Sequence, residues 1–139
     1  SAGSGVRHSE YNPSKTDRLH LIQVWIQPDR PGLRPRYAEW KPTAEQLAAP
    51  KVLIISNDGR EGSAHISQDA DVYRVKTSEA GTVAHELRQG RGLWFQLIGG
   101  EVEIGGVKLS PGDALKSEES GAFAFKHSGP VEALLFDLA

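Results

Sequence analysis

The sequence predicts an all-β fold, a sandwich or barrel of short strands. Apolar runs rich in β-branched and aromatic residues recur at Leu19–Ile26, Val52–Ile55, Val72–Val75, Leu93–Ile98 and Val131–Phe136. Turn residues punctuate them. Gly99-Gly100 and Gly105-Gly106 read as tight hairpin turns, and Ser110–Asp113 as a turn before a further strand. Helical signal is confined to Thr43–Ala49, where Thr43 and Gln46 have capping-box spacing and Pro50 ends the helix within two turns.

Taken in order, the elements divide into three parts. Residues 1–28 read as a two-strand piece: a Gly-rich lead, then the Leu19–Ile26 strand closed by Pro28. Residues 29–50 read as an extended connector. The stretch from Gln27 to Pro50 holds five prolines (Pro28, Pro31, Pro35, Pro42 and Pro50), which exclude continuous helix and a central strand. Residues 51–139 are long enough for a small barrel with its own core.

Composition narrows the function classes. A formal charge of −2 from interspersed residues excludes the basic stripe of a nucleic-acid binder. Zero cysteines exclude disulfides and thiolate metal sites, leaving histidine and carboxylate as ligand types, and fit a reducing cytoplasm. No apolar run of about 18 residues predicts membrane insertion. No Gly-x-Ser-x-Gly elbow, Ser-His-Asp grouping or Walker sequence occurs, and Gly99-Gly100 is no phosphate loop because no helix follows it.

The most informative segment is Ser1–Asn12. His8 and Glu10 stand two residues apart, so on a strand both side chains point to one face and can share one ion. Read from the residues alone, a pair of metal ligands and a partly buried ion pair are both open. The chain contains no methionine, and nothing before this segment supplies further donors, so a whole protein and the remainder of a larger one are both open.

Ser1–Asn12, Leu19–Ile26 and Pro35–Tyr37, followed by Ser56–Ser63 and Leu134–Leu138, resemble the pirin family of bicupins. The resemblance is nearest to its bacterial members with quercetin 2,3-dioxygenase activity. It implies two stacked cupin barrels (double-stranded β-helix, or jelly-roll), with this chain holding the end of the first, the linker and the whole second. It also implies a divalent metal, iron foremost, bound in the first barrel by a His-x-His motif, a later His and a Glu. His8 matches the later His and Glu10 the Glu, while the His-x-His motif is absent from this chain. In the intact family a flavonol-like substrate is opened by dioxygen, with Glu10 as ligand or proton acceptor.

Laid on the second barrel, the same motif puts only His85 in a ligand place. Leu87, Leu93 and Phe123 fall at the other ligand places, so this barrel is expected to bind no metal. The chain is therefore expected to be an incomplete, weakly active or inactive dioxygenase, or alternatively a non-catalytic cupin module with a binding or regulatory role. His20 is expected at a surface or interface, and His65, His85 and His127 as structural or solvated. Gln23 either faces the first pocket or bonds to backbone. Trp25 and Trp94 read as core. The apolar faces and unpaired edges of residues 5–11 and 19–27 are expected to pack onto the second barrel, to pair with another chain, or both, with a homodimer bringing two copies of His8 and Glu10 together.

Overall fold

The computed structural model describes all 139 residues. One short helix, α1 (Ala44–Ala48), precedes ten strands. These are β1 (Lys51–Ser56), β2 (Ala64–His65), β3 (Ala70–Thr77), β4 (Gly81–Leu87), β5 (Gly92–Gly99), β6 (Val102–Ile104), β7 (Val107–Leu109), β8 (Ala114–Ser117), β9 (Gly121–His127) and β10 (Val131–Leu138). They form a six-stranded sheet in the order β2-β1-β3-β10-β5-β8 and a four-stranded sheet in the order β4-β9-β6-β7. Every pairing is antiparallel except β1 with β2. This is the two-sheet jelly-roll expected for residues 51–139.

Alternation fills the space between the sheets. Leu93, Phe95 and Leu97 of β5 and Val131, Ala133 and Leu135 of β10 point inward from one sheet. Val83 and Leu87 of β4, Val102 and Ile104 of β6, and Phe125 of β9 meet them from the other. Phe95 and Phe125 stack at 4.1 Å between ring centroids, so one aromatic pair joins the two sheets. Full burial of each large side chain contributes about 1.5–3 kcal/mol of transfer free energy.

Local chemistry sets the connections. Thr43 caps α1 through the Gln46 amide N–H, and the Gln46 side chain accepts from the Thr43 N–H. Arg74, on the outer face of β3, donates to the Gln46, Leu47 and Ala49 carbonyls, which pins the helix to the sheet. Gly105-Gly106 makes the β6–β7 hairpin. The Ser110–Asp113 turn is closed by an Asp113 N–H to Ser110 carbonyl bond of 2.9 Å.

Three expectations are corrected. Gly99-Gly100 is a corner, because β5 and β6 belong to different sheets and do not pair. Gly100 lies at φ 84°, against the Pro130 carbonyl, where the chain changes sheet. The expected strands at residues 5–11 and 19–27 do not form: residues 1–43 contain no helix or strand. A strand needs a ladder partner, and none of the ten strands pairs with this segment. It is tied instead by isolated bonds such as Ser4 N–H to the Leu33 carbonyl (2.7 Å) and Asp29 N–H to the Ser67 carbonyl (2.8 Å). Residues 22–27 lie over the outer face of β5 and β10, where they line a groove with Trp94, Leu134 and Phe136. Trp25 remains 86% exposed and Trp94 42%, so neither is core.

The corner generates a prediction. At Gly106 a methyl group meets open space, so Gly106→Ala carries only the strain of φ 81°, roughly 1–2 kcal/mol. Gly100→Ala adds overlap with backbone to the same strain and should destabilise by more than 3 kcal/mol, order of magnitude. Urea unfolding of the two variants should show this ranking; equal losses would contradict it.

Candidate functional site

Two groups of chemistry-bearing side chains stand apart in the molecule. The first is at the amino-terminal segment. His8 Nε2 lies 3.8 Å from Glu10 Oε1 and 3.3 Å from Gln23 Nε2. The imidazole and carboxylate therefore converge, and Gln23 turns toward them rather than bonding only to neighbouring backbone. Both side chains are about half exposed, 51% for His8 and 49% for Glu10. In water at that exposure the pair contributes little to stability.

Two donors that close can touch one cation between them, but they cannot enclose it. Divalent ions in proteins take three or four protein donors, or fewer with several waters. No group of three or more His, Asp or Glu side chains converges to hold a metal, here or elsewhere in the chain. The donors in these residues do not fit a self-sufficient metal centre.

The second group sits at one mouth of the barrel. His85 of β4, in phase with Val83 and Leu87, points inward and is 6% exposed. Asp137 of β10, in phase with Ala133 and Leu135, is 4% exposed and meets it, with His85 Nε2 to Asp137 Oδ2 at 3.0 Å. Arg91, just before β5, donates through Nε to the other Asp137 oxygen, through Nη2 to the Asp137 carbonyl, and through Nη1 to Asp69. Nearby, Arg60 donates to Asp58 (3.1 Å) and Asp71 (2.5 Å). Tyr73 packs edge-on to the His85 ring at 5.4 Å.

This arrangement assigns proton positions. The carboxylate can only accept, so His85 Nε2 carries the hydrogen and Nδ1 is left as an acceptor. Burial pushes the His85 imidazole below the ordinary histidine range, and the Asp137 bond opposes this only in part. The Lys51 ammonium adds to the depression. A buried charge with two strong partners is fixed in place, and removing one partner is costly.

The other expected positions resolve as follows. Leu87 and Leu93 are 1% and 2% exposed members of the core, and Phe123 packs against it. Apolar side chains therefore occupy the three positions where the resemblance led further ligands to be sought. His85 is structural, but it is the hub of a buried ionic group that the sequence reading did not connect. The available signal was phase: an aspartate in step with the inward apolar residues of β10, and a histidine in step with those of β4. His127 is buried and bonds through Nδ1 to the Gly129 carbonyl at 2.9 Å. His65 takes a bond from Arg36 at 2.9 Å. His20 is exposed.

Two outcomes follow for Asp137 and His85. Asp137→Asn should destabilise the fold by roughly 3–5 kcal/mol in urea unfolding, because it leaves Arg91 buried beside a neutral group. A base with a lowered folded pKa binds its proton more readily when unfolded. Stability should therefore hold above about pH 6.5 and decline as pH falls from there toward the lowered value. His85→Gln should remove that part of the slope; an unchanged slope would contradict the assignment.

Comparison with known proteins places these features. Residues 53–138 match the family described as the quercetinase C-terminal cupin domain. The chain is 42% identical to quercetin 2,3-dioxygenase of Escherichia coli K12 across 99% of its own length and 58% of the relative's. It is 34% identical to a putative quercetin 2,3-dioxygenase of Pasteurella multocida, again covering 99% of itself and 59% of the relative. The crystal structure of YhhW from Escherichia coli superposes with a TM-score of 0.89 at 42% identity, covering 100% of this chain and 58% of that one. A crystal structure of bacterial pirin YhhW in complex with nickel(II) superposes with a TM-score of 0.81 at 38% identity, over 92% of this chain and 54% of that one. The chain thus spans somewhat over half the length of the relatives it matches. It belongs to the pirin-like quercetinase family, whose C-terminal cupin it carries.

Proposed function

We propose that this chain is the C-terminal portion of a metal-dependent, quercetinase-type dioxygenase that cleaves a flavonol with dioxygen. In this reading residues 1–28 complete a first cupin, 29–50 link, and 51–139 form a second, supporting cupin. His8 and Glu10 supply one side of a divalent-metal centre, with Gln23 beside them. The remaining donors come from chain outside these 139 residues. The observation that carries the reading is the convergence of His8 and Glu10 at 3.8 Å, in a chain 42% identical to a quercetin 2,3-dioxygenase. Iron is the ion assigned by family resemblance; a relative's crystal structure holds nickel(II).

These 139 residues alone are expected to have little or no turnover. Quercetin loss, followed by flavonol absorbance with added iron(II), tests this on the chain and on the product of its full reading frame. The longer product should consume quercetin, and His8→Ala or Glu10→Gln in it should reduce the rate to background. Turnover by the short chain at the longer product's rate, or unchanged turnover in both variants, would overturn the proposal.

A second reading is a non-catalytic cupin module, favoured by Leu87, Leu93 and Phe123 filling the second barrel. Absence of turnover in the full-frame product would select it. Self-association forms part of either reading, since Leu19, Leu21, Val24 and Trp25 are all more than 40% exposed. Light scattering should show a mass above that of the 15.1 kDa monomer. A monomer at all concentrations would remove this element.

A further inference from the structure

The polar mouth of the second barrel is a cavity of about 730 Å³, distinct from the His8–Glu10 pair. Ten of its eleven lining residues are polar or charged, which disfavours a flavonol-like aromatic ligand. Five carboxylates line it against three guanidinium groups, and the Lys51 ammonium lies nearby over the Tyr73 ring, so carboxylates remain in surplus by one.

Which of these groups remain free matters more than the count. Arg60 and Arg91 are consumed by aspartates, and both Asp137 oxygens are taken. Asp71 is 6% exposed, yet only its Oδ2 has a partner. His85 is equally buried, and only its Nε2 is engaged. Neither Asp71 Oδ1 nor His85 Nδ1 is among the solvent-inaccessible unpartnered atoms, which are Trp40 Nε1 and Arg74 Nε. Both therefore open to the cavity as deep acceptors without a protein donor. At the rim Glu86 and Arg88 are exposed and engage in no ion pair. A surplus of acceptors in a negative cavity calls for a ligand rich in donors and positive in charge.

We propose that the mouth of the second barrel binds a small aliphatic ammonium compound. Its –NH3⁺ group donates to Asp71 Oδ1 and His85 Nδ1, in a cavity edged by Glu86. Three donors on one small charged head match the two deep acceptors and leave the third for water. A metal ion is the poorer occupant, because no three ligand-type side chains converge there.

The probe is putrescine, titrated into the 139-residue chain by calorimetry, with His85 ring and Asp71 amide shifts followed by NMR. One saturable site is expected, perturbing both residues and weakening as salt rises. Asp71→Asn should weaken binding by about tenfold, the loss of one charged hydrogen bond. The exposed rim gives opposite signs: Glu86→Gln should weaken binding and Arg88→Ala tighten it, each by about threefold. These two variants keep the test decisive if Asp71→Asn fails to fold. No saturable shift at millimolar putrescine, rim variants without opposite effects, or tighter binding of glycerol or acetate would each overturn the proposal.

Discussion

The Asp137 carboxylate, buried at the end of the central strand β10, is the interaction on which the barrel mouth depends. β10 pairs with β3 on one side and β5 on the other, so its inward residues sit where the large sheet faces the small one. An unpaired carboxylate there would be strongly destabilising. It is held by Arg91 from the β5 side and by His85 from the opposite sheet. One side chain thus clamps three elements. The clamp also decides what His85 is: an imidazole fixed by a carboxylate and kept neutral by burial.

That clamp explains the contrast between the chain's two ends. In the second barrel, of the four positions singled out by resemblance as ligand places (His85, Leu87, Leu93 and Phe123), three belong to or pack on the apolar core. The fold there is held by packing and by ionic bonds. In the amino-terminal segment the opposite holds. His8 and Glu10 converge with no core beneath them, on a stretch without a ladder and with large apolar side chains facing solvent. One end is a packed barrel. The other presents chemistry that is incomplete within these residues, in keeping with relatives whose length it covers by little more than half.

The barrel was largely legible in the sequence because alternation and turn residues act locally. The runs at Val52–Ile55, Val72–Val75, Leu93–Ile98 and Val131–Phe136 each lie inside a strand, and the Thr43–Gln46 cap stands as read. β4 and β9 give no apolar run, because Gly81–Leu87 and Gly121–His127 interleave small and polar residues. Leu19–Ile26 has every intrinsic preference of a strand, but strand formation also needs a neighbouring backbone, which no local pattern supplies. Gly99-Gly100 misled for a related reason: a glycine pair marks a sharp change of direction, not the sheet in which the chain continues. The Asp137–Arg91–His85 group has no local signature, because it joins residues up to 52 positions apart.

The central claim is that two converging donors do not make a metal centre by themselves and that the second barrel supplies no others. Equilibrium dialysis of the purified 139-residue chain against nickel(II), with bound metal counted by elemental analysis, tests it most directly. The account predicts binding well below one ion per chain, abolished by His8→Ala and unaffected by His85→Gln. One tightly held ion per chain, or loss of binding on replacing His85, would contradict it.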